Sequence, residues 1–148
     1  MPEIMRREVP AKPPGAIRIA LACNTSGQID GHFGSCAQFD IYDVSREAII
    51  HVASRSTGSA QDGERTGQRV ALVKDCAILG VQSIGGPPAA RVVNSGIMPL
   101  KFPQSPPQRE ILVELQRRLD KPPPWMLQAM GAVDTSRLRK CEGIHGRE

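Results

Sequence analysis

The chain has 148 residues, of which 40% are hydrophobic, 23% charged and 3% aromatic. That length suits one compact domain with tails rather than two full domains, and the apolar fraction is enough to bury a core, unlike that of a disordered chain. Nineteen Lys and Arg against fifteen Asp and Glu give a net charge of +4, a mild excess compatible with an anionic ligand that does not imply a polyanion and decides little, and the scarcity of aromatic platforms disfavours single-stranded nucleic acid.

Residues 1–14 are charged and proline-rich without periodicity and are expected to form a flexible tail. Ile17 to Ala22 alternates and is β-branched at its start, as a strand entering a core would be. Gln38 to Val44 follows, with Phe39, Ile41 and Asp43 on one face and Asp40, Tyr42 and Val44 on the other. Ala48 to Ala53 is its expected hairpin partner across the polar turn Ser45-Arg46-Glu47.

The pattern turns helical between Asp62 and Lys74, and Ala77 to Gln82 is a short apolar run suited to a buried strand. Gly85-Gly86 breaks that strand, Pro87-Pro88 opens a helix over 89–95, and Gly96 closes it. Ile97 to Phe102 returns as a strand. Ser105 as N-cap and Pro106 at the first helical position then predict a helix to about Lys121, with Ile111, Leu112, Leu115 and Leu119 on one stripe and Glu114 one turn from Arg118. Pro122-Pro123-Pro124 ends it, and Trp125 to Met130 forms a last short turn with Trp125 as a lid on the core edge. Residues 132–148 read as a flexible basic tail, which leaves an α/β domain over 15–131 whose later strands run parallel through helical crossovers. In such sheets ligands sit beyond the carboxyl ends of the strands. Two loops leave those ends, residues 23–36 and 83–88.

The first loop packs Cys23, His32 and Cys36 with three glycines into fourteen residues, a density of borderline and soft metal ligands that is the most informative feature of the sequence. Gly31 and Gly34 flank the His32-Phe33 pair, so that the backbone can approach a bulky ligand, His32 can reach outward and Phe33 can anchor inward. Cys36 either borders the same pocket as a second ligand or packs as a small hydrophobe, and Cys23 at the strand end has the same two readings. In the second loop, Gly85 and Gly86 run into a helix, where free N–H groups and the helix dipole attract an anion. Cys76 reads as packing, His51 as an outward-facing solvated residue, and the tail pair Cys141 and His145 as disordered.

There is no C-x-x-C pair, so a zinc or ferredoxin-type cage is unsupported. No signal-peptide pattern or apolar run of about 20 residues is present, and a cytoplasmic setting with reduced thiols is expected. Nucleophile-elbow, phosphate-loop, zinc-protease and dinucleotide signatures are absent, so a non-enzymatic protein is expected.

Asp30-Gly31-His32-Phe33-Gly34, Phe39-Asp40-Ile41-Tyr42, the run Gly85 to Val93 and the run Gly96 to Lys101 together resemble the dinitrogenase iron-molybdenum cofactor biosynthesis domain family over about residues 16–130. The ending Pro122-Pro123-Pro124-Trp125-Met126 is similar to its NifX-like members in particular. The resemblance implies a ribonuclease-H-like, three-layer α/β fold with a mixed sheet, an N-terminal hairpin region and no nuclease activity. It implies a carrier or storage protein for iron-molybdenum cofactor or its iron–sulfur precursors, working between the precursor-synthesising radical enzyme, the cofactor scaffold complex and apo-dinitrogenase, with no nucleic-acid or membrane partner. The family's cluster-ligating histidine falls on His32; Cys36 has no firmly matching role and is carried as a metal ligand by proximity alone.

The expected binding set is therefore His32, Gly31, Phe33, Gly34, Cys36, Gly85 and Gly86, with His32 and Cys36 on the metal. A cluster-independent regulatory or interaction module of the nitrogenase assembly machinery is the alternative. A hydrolase would need clustered carboxylates; Asp40 and Asp43 share a strand at odd spacing, which puts them on opposite faces, and Asp30 and Asp75 lie outside strands.

Overall fold

A computed structural model describes residues 15–58 and 65–130. Both terminal tails, with Cys141 and His145, lie outside the described residues. The elements run β1 (Ile17–Cys23), β2 (Gln38–Val44), β3 (Ile49–Ser56), α1 (Arg65–Leu72), β4 (Ile78–Val81), α2 (Gly86–Asn94), β5 (Met98–Lys101), α3 (Gln108–Arg118) and α4 (Pro124–Met130).

The five strands form one mixed sheet in the order β3-β2-β1-β4-β5. The first three are antiparallel neighbours, and β4 and β5 join parallel to β1. Every residue of β1 is buried, because the strand is central and both faces are covered, which explains why its apolar run is nearly continuous rather than strictly alternating. One face packs Ala20, Ala22, Phe39, Ile41 and Leu79 against Val70 beside Val73 and against Val92 of α2. The other packs Ile17, Ile19, Leu21, Val44 and Ile78 against Leu112 and Leu115 of α3 and Met126 of α4. The described chain is thus a sheet between two helical layers.

Several boundaries differ from expectation. β3 extends to Ser56 and passes a pairing irregularity opposite Ile41 and Tyr42, so it is longer than the apolar run that announced it. α3 starts at Gln108, not after Ser105: Ser105 takes φ +53, and Pro107 precedes the first helical residue. The cause is tertiary, since Gln28 bridges to Pro107 and the Gln108 N–H donates to Gly27 O at 2.8 Å, which holds the segment extended. α2 begins at Gly86 with both prolines in its first turn, and Gly96 follows it at φ +86, as its sequence place predicted. Trp125 is partly buried and packs against the core edge, as does Ala129, beside the fully enclosed Met126.

One charge sits in the middle of the sheet. Arg18 is 6% exposed on β1 and lies directly across from Asp43 of β2, to which it donates two hydrogen bonds of 2.7 and 2.8 Å. Asp75 completes the cluster, accepting from Arg18 at 3.1 Å and from Arg55 at 2.7 and 2.9 Å. The hydrogen bonds from Arg55, against the opposing cost of burial, hold the Asp75 carboxyl well below the usual carboxylate range. A carboxyl with a depressed folded pKa contributes stability that is complete above its unfolded value of about 4 and is lost as pH falls through the folded value. Urea unfolding is therefore expected to show stability falling below about pH 4, with a shallower fall in Asp75→Asn; identical pH profiles for the two chains would contradict this.

Candidate functional site

The 24–37 loop is pinned at its base. Asp30 accepts the N–H groups of Asn24 at 2.7 Å and Thr25 at 3.1 Å, and Asn24 Oδ1 accepts the Ala37 N–H at 2.9 Å. These bonds satisfy the turn from within and hold the Asp30 carboxyl below its ordinary range although burial opposes them. Gly31 to Phe33 then enters the gap where β1 and β4 end. The Gly31 N–H donates to Ala22 O at 3.2 Å, the Gln82 N–H to Gly31 O at 2.8 Å, and the Phe33 N–H to Ser83 O at 2.9 Å, so that His32 pairs in parallel with Ser83. The three residues make an isolated parallel bridge at the carboxyl end of the sheet, outside its five strands.

That extended bridge aims the histidine. Alternate residues face opposite ways, and Gly31 and Phe33 both face inward: Phe33 is fully buried against Phe39, ring centroids 5.7 Å apart. Residue 32 must face out, and His32 is exposed. Its Nδ1 lies 2.6 Å from Ser83 Oγ, and Nε2 has no hydrogen-bond partner among the described residues. Gly34 stands beside the ring, where an added Cβ would lie 3.6 Å from both Nε2 and Cδ2. Gly31 has a different role from the one its sequence place suggested. It is buried, and a Cβ there would meet Cys36 Cβ at 2.5 Å and the backbone of Ala22 and Cys23 at 2.9 Å, so its missing side chain serves close packing of loop on strand, not approach of a ligand.

Ser83 also brings the second loop to the first, as expected for two loops leaving adjacent parallel strands. The N–H groups of Gly85 and Gly86 have no acceptor among the described residues, while Pro87 and Pro88 have no N–H to give. The donors offered by the start of α2 are therefore few.

Cys36 is not brought to the imidazole. It is 1% exposed in the core cluster, with its backbone N–H donating to His32 O at 2.8 Å and its Sγ 3.4 Å from an Arg69 nitrogen. Burial pushes this thiol up, with Arg69 opposing. Cys23 is likewise buried and pushed to about 11, and Cys76 to about 12, both chiefly by burial. Protonated, enclosed thiols are poor metal ligands, so the expected Cys36 ligation is corrected to a packing role. Among the described residues no three His, Cys, Asp or Glu side chains converge as a metal cage. His51 is exposed as expected, with Nε2 3.0 Å from Ser54 Oγ.

Two residues of the site escaped the sequence reading. Ser83 is a polar residue immediately past a strand, and its partner is fixed only by the insertion of the loop. Arg69 is buried at 6% exposure and donates to Phe33 O and Cys36 O, each at 3.0 Å. Its signal was a cation four positions before Val73 in the helical pattern read between Asp62 and Lys74. Arg65 reaches Gly34 O from the exposed side at 3.4 Å.

Gly31→Ala is expected to destabilise the fold by about 1–3 kcal/mol, the usual cost of overpacking a dense site, and to broaden or shift the backbone resonances of residues 31–36. Urea unfolding and heteronuclear spectra check both; unaltered stability would show that the loop yields freely and is not seated as described.

The model of the dinitrogenase iron-molybdenum cofactor family matches residues 15–118. NifY of Azotobacter vinelandii is 40% identical over 126 residues, which make up 84% of this chain and 52% of that protein, so the chain spans about half the length of this relative. NifX of Sinorhizobium fredii is 31% identical over 145 residues and is covered to 91%, as is this chain. FeMo cofactor biosynthesis protein NifB of Bradyrhizobium diazoefficiens is 30% identical over 89 residues, 57% of this chain and 18% of NifB. Among solved structures, PH0822 superimposes with a TM-score of 0.57 at 16% identity, covering 68% of this chain and 91% of that one, a likeness that bears on the fold alone. With the match spanning the whole sheet and the His32 loop, the chain belongs to the dinitrogenase iron-molybdenum cofactor family and is NifX-like.

Proposed function

We propose that this chain is a non-catalytic carrier and storage protein for iron-molybdenum cofactor or its iron–sulfur precursors, and that His32 Nε2 coordinates the cargo. The observation that carries the reading is the outward imidazole on a loop fixed into the sheet, with Nδ1 engaged by Ser83 at 2.6 Å and Nε2 unengaged among the described residues. A neutral ring that donates Nδ1–H to Ser83 Oγ keeps its lone pair on Nε2, the arrangement that metal-bound histidines commonly share.

The rest of the site suits transfer. A single imidazole, with the Gly85 and Gly86 N–H groups of the adjoining loop as donors to an anionic edge, holds a cluster without the thiolate cage that would slow its release. The buried, protonated cysteines keep out of that exchange. We read the strand order β3-β2-β1-β4-β5, antiparallel on one side and parallel on the other, as ribonuclease-H-like. Hydrolytic use of such a sheet is not supported by its carboxylates: Asp43 and Asp75 are held by Arg18 and Arg55, Asp40 by Gln108, Ser54 and Gln38, and Asp30 by its own loop. The likeness to NifB, a FeMo cofactor biosynthesis protein by name, supports partners in cofactor assembly, and the reading places among them the precursor-synthesising enzyme, the scaffold complex and apo-dinitrogenase, in a reducing cytoplasm.

The test is anaerobic loading of the full chain with iron-molybdenum cofactor, followed by iron content and visible absorbance after desalting. His32→Ala is expected to abolish retention, and Ser83→Ala to weaken it by about 10–100-fold, the usual cost of removing the group that orients a ligand. Unchanged retention in His32→Ala rejects the assignment.

A further inference from the structure

The buried guanidiniums of this protein are not treated alike. Arg18 is matched by Asp43 and Asp75, and the largely buried Arg55 by Asp75. Arg69, 6% exposed, pairs with no carboxylate among the described residues. It meets two carbonyl oxygens and the Cys36 sulfur through one nitrogen, and its Nε is buried without a partner. An arginine stays charged, and leaving that charge buried and unpaired is costly. Clamping the loop needs donors only; a neutral side chain could supply them. The location is specific as well, because the carbonyls it holds belong to Phe33, next to His32, and to Cys36, whose N–H closes the turn on His32 O.

The geometry points to Arg69 as a positioning residue that gives the His32 site a fixed positive charge, so that the exposed imidazole takes anionic metal complexes and disfavours cationic ones. The inference rests on His32 being the ligand, as proposed above, and adds the charge class of what it accepts. One exposed imidazole by itself hardly distinguishes a bare divalent cation from a large anion. A cation sealed beneath it does, and being buried it is screened by salt less than the surface charges are.

The test uses two metal complexes that each exchange one bound water for an imidazole nitrogen without redox change: aquapentacyanoferrate(II), a trianion, and aquapentaammineruthenium(II), a dication. The chain has three histidines, so the full protein carrying His51→Gln and His145→Gln reports on His32 alone, under anaerobic conditions, by absorbance. Arg69→Gln is expected to lower the association constant of the trianion at least about five-fold and to raise that of the dication, opposite changes that loss of a field produces. Arg69→Lys should keep the preference, and Arg117→Gln, the same charge change on exposed α3, should shift either constant less than about two-fold. If both constants fall together in Arg69→Gln, or neither moves, the proposal is overturned and Arg69 is a loop clamp. Should that variant not fold, the comparison is made without it: in a His32→Gln, His145→Gln chain the probes report on His51, and the anion-to-cation ratio at His32 should exceed that at His51 by at least about five-fold. Equal ratios overturn the proposal. A protein that shows the preference but retains no iron-molybdenum cofactor supports the role of Arg69 and counts against the carrier reading alone.

Discussion

Three backbone hydrogen bonds at the carboxyl end of the sheet determine the rest of the site. Those bonds join Gly31 to Ala22, Gln82 to Gly31 and Phe33 to Ser83, and turn what would be a mobile glycine-rich loop into an extended bridge. Extended geometry then decides which side chains face in and out, without any need for a dedicated contact to push His32 outward. The same insertion selects Ser83 as the imidazole's neighbour and sets the start of α2 beside it. Glycine at 31 is the condition for all of this, since any Cβ would collide with Cys36 and the end of β1.

The chemistry that follows is one of restraint. The described chain contains three buried cysteines, yet burial keeps each thiol protonated, and the outward donor atom of the 31–33 segment is a nitrogen of intermediate softness. In the carrier role proposed above, such a site would grip less firmly than a thiolate cage and so release its cargo. Burial of Arg69 below the loop works in the opposite sense, adding attraction for negative charge without adding a bond that must be broken on release.

Much of this was legible in the sequence because the signals were local. A β-branched apolar run gave β1 and an alternating one β2, the apolar stripe gave α3, and glycine with proline marked the start of α2 and glycine alone its end. His32 between two glycines was legible for the same reason, as was Phe33 as its anchor. What was not legible depends on tertiary pairing. Ser105-Pro106 has the composition of a helix start, but Gln28 and Gly27 hold that segment extended and shift the start to Gln108. Cys36 is near His32 in sequence and yet turned away, because the turn that follows the inserted bridge sends its sulfur under the loop. Arg18 and Arg69 are cations inside apolar patterns, and only the folded chain distinguishes them: the first meets two carboxylates, the second none among the described residues.

The carrier role depends most on the nitrogen atom that His32 presents. Electron–nuclear double resonance on cofactor-loaded protein carrying 15N-labelled histidine measures that atom directly. That role predicts a hyperfine-coupled imidazole nitrogen that persists in His51→Gln and disappears in His32→Ala. A loaded protein with no coupled nitrogen, or with a coupling that survives His32→Ala, would contradict it.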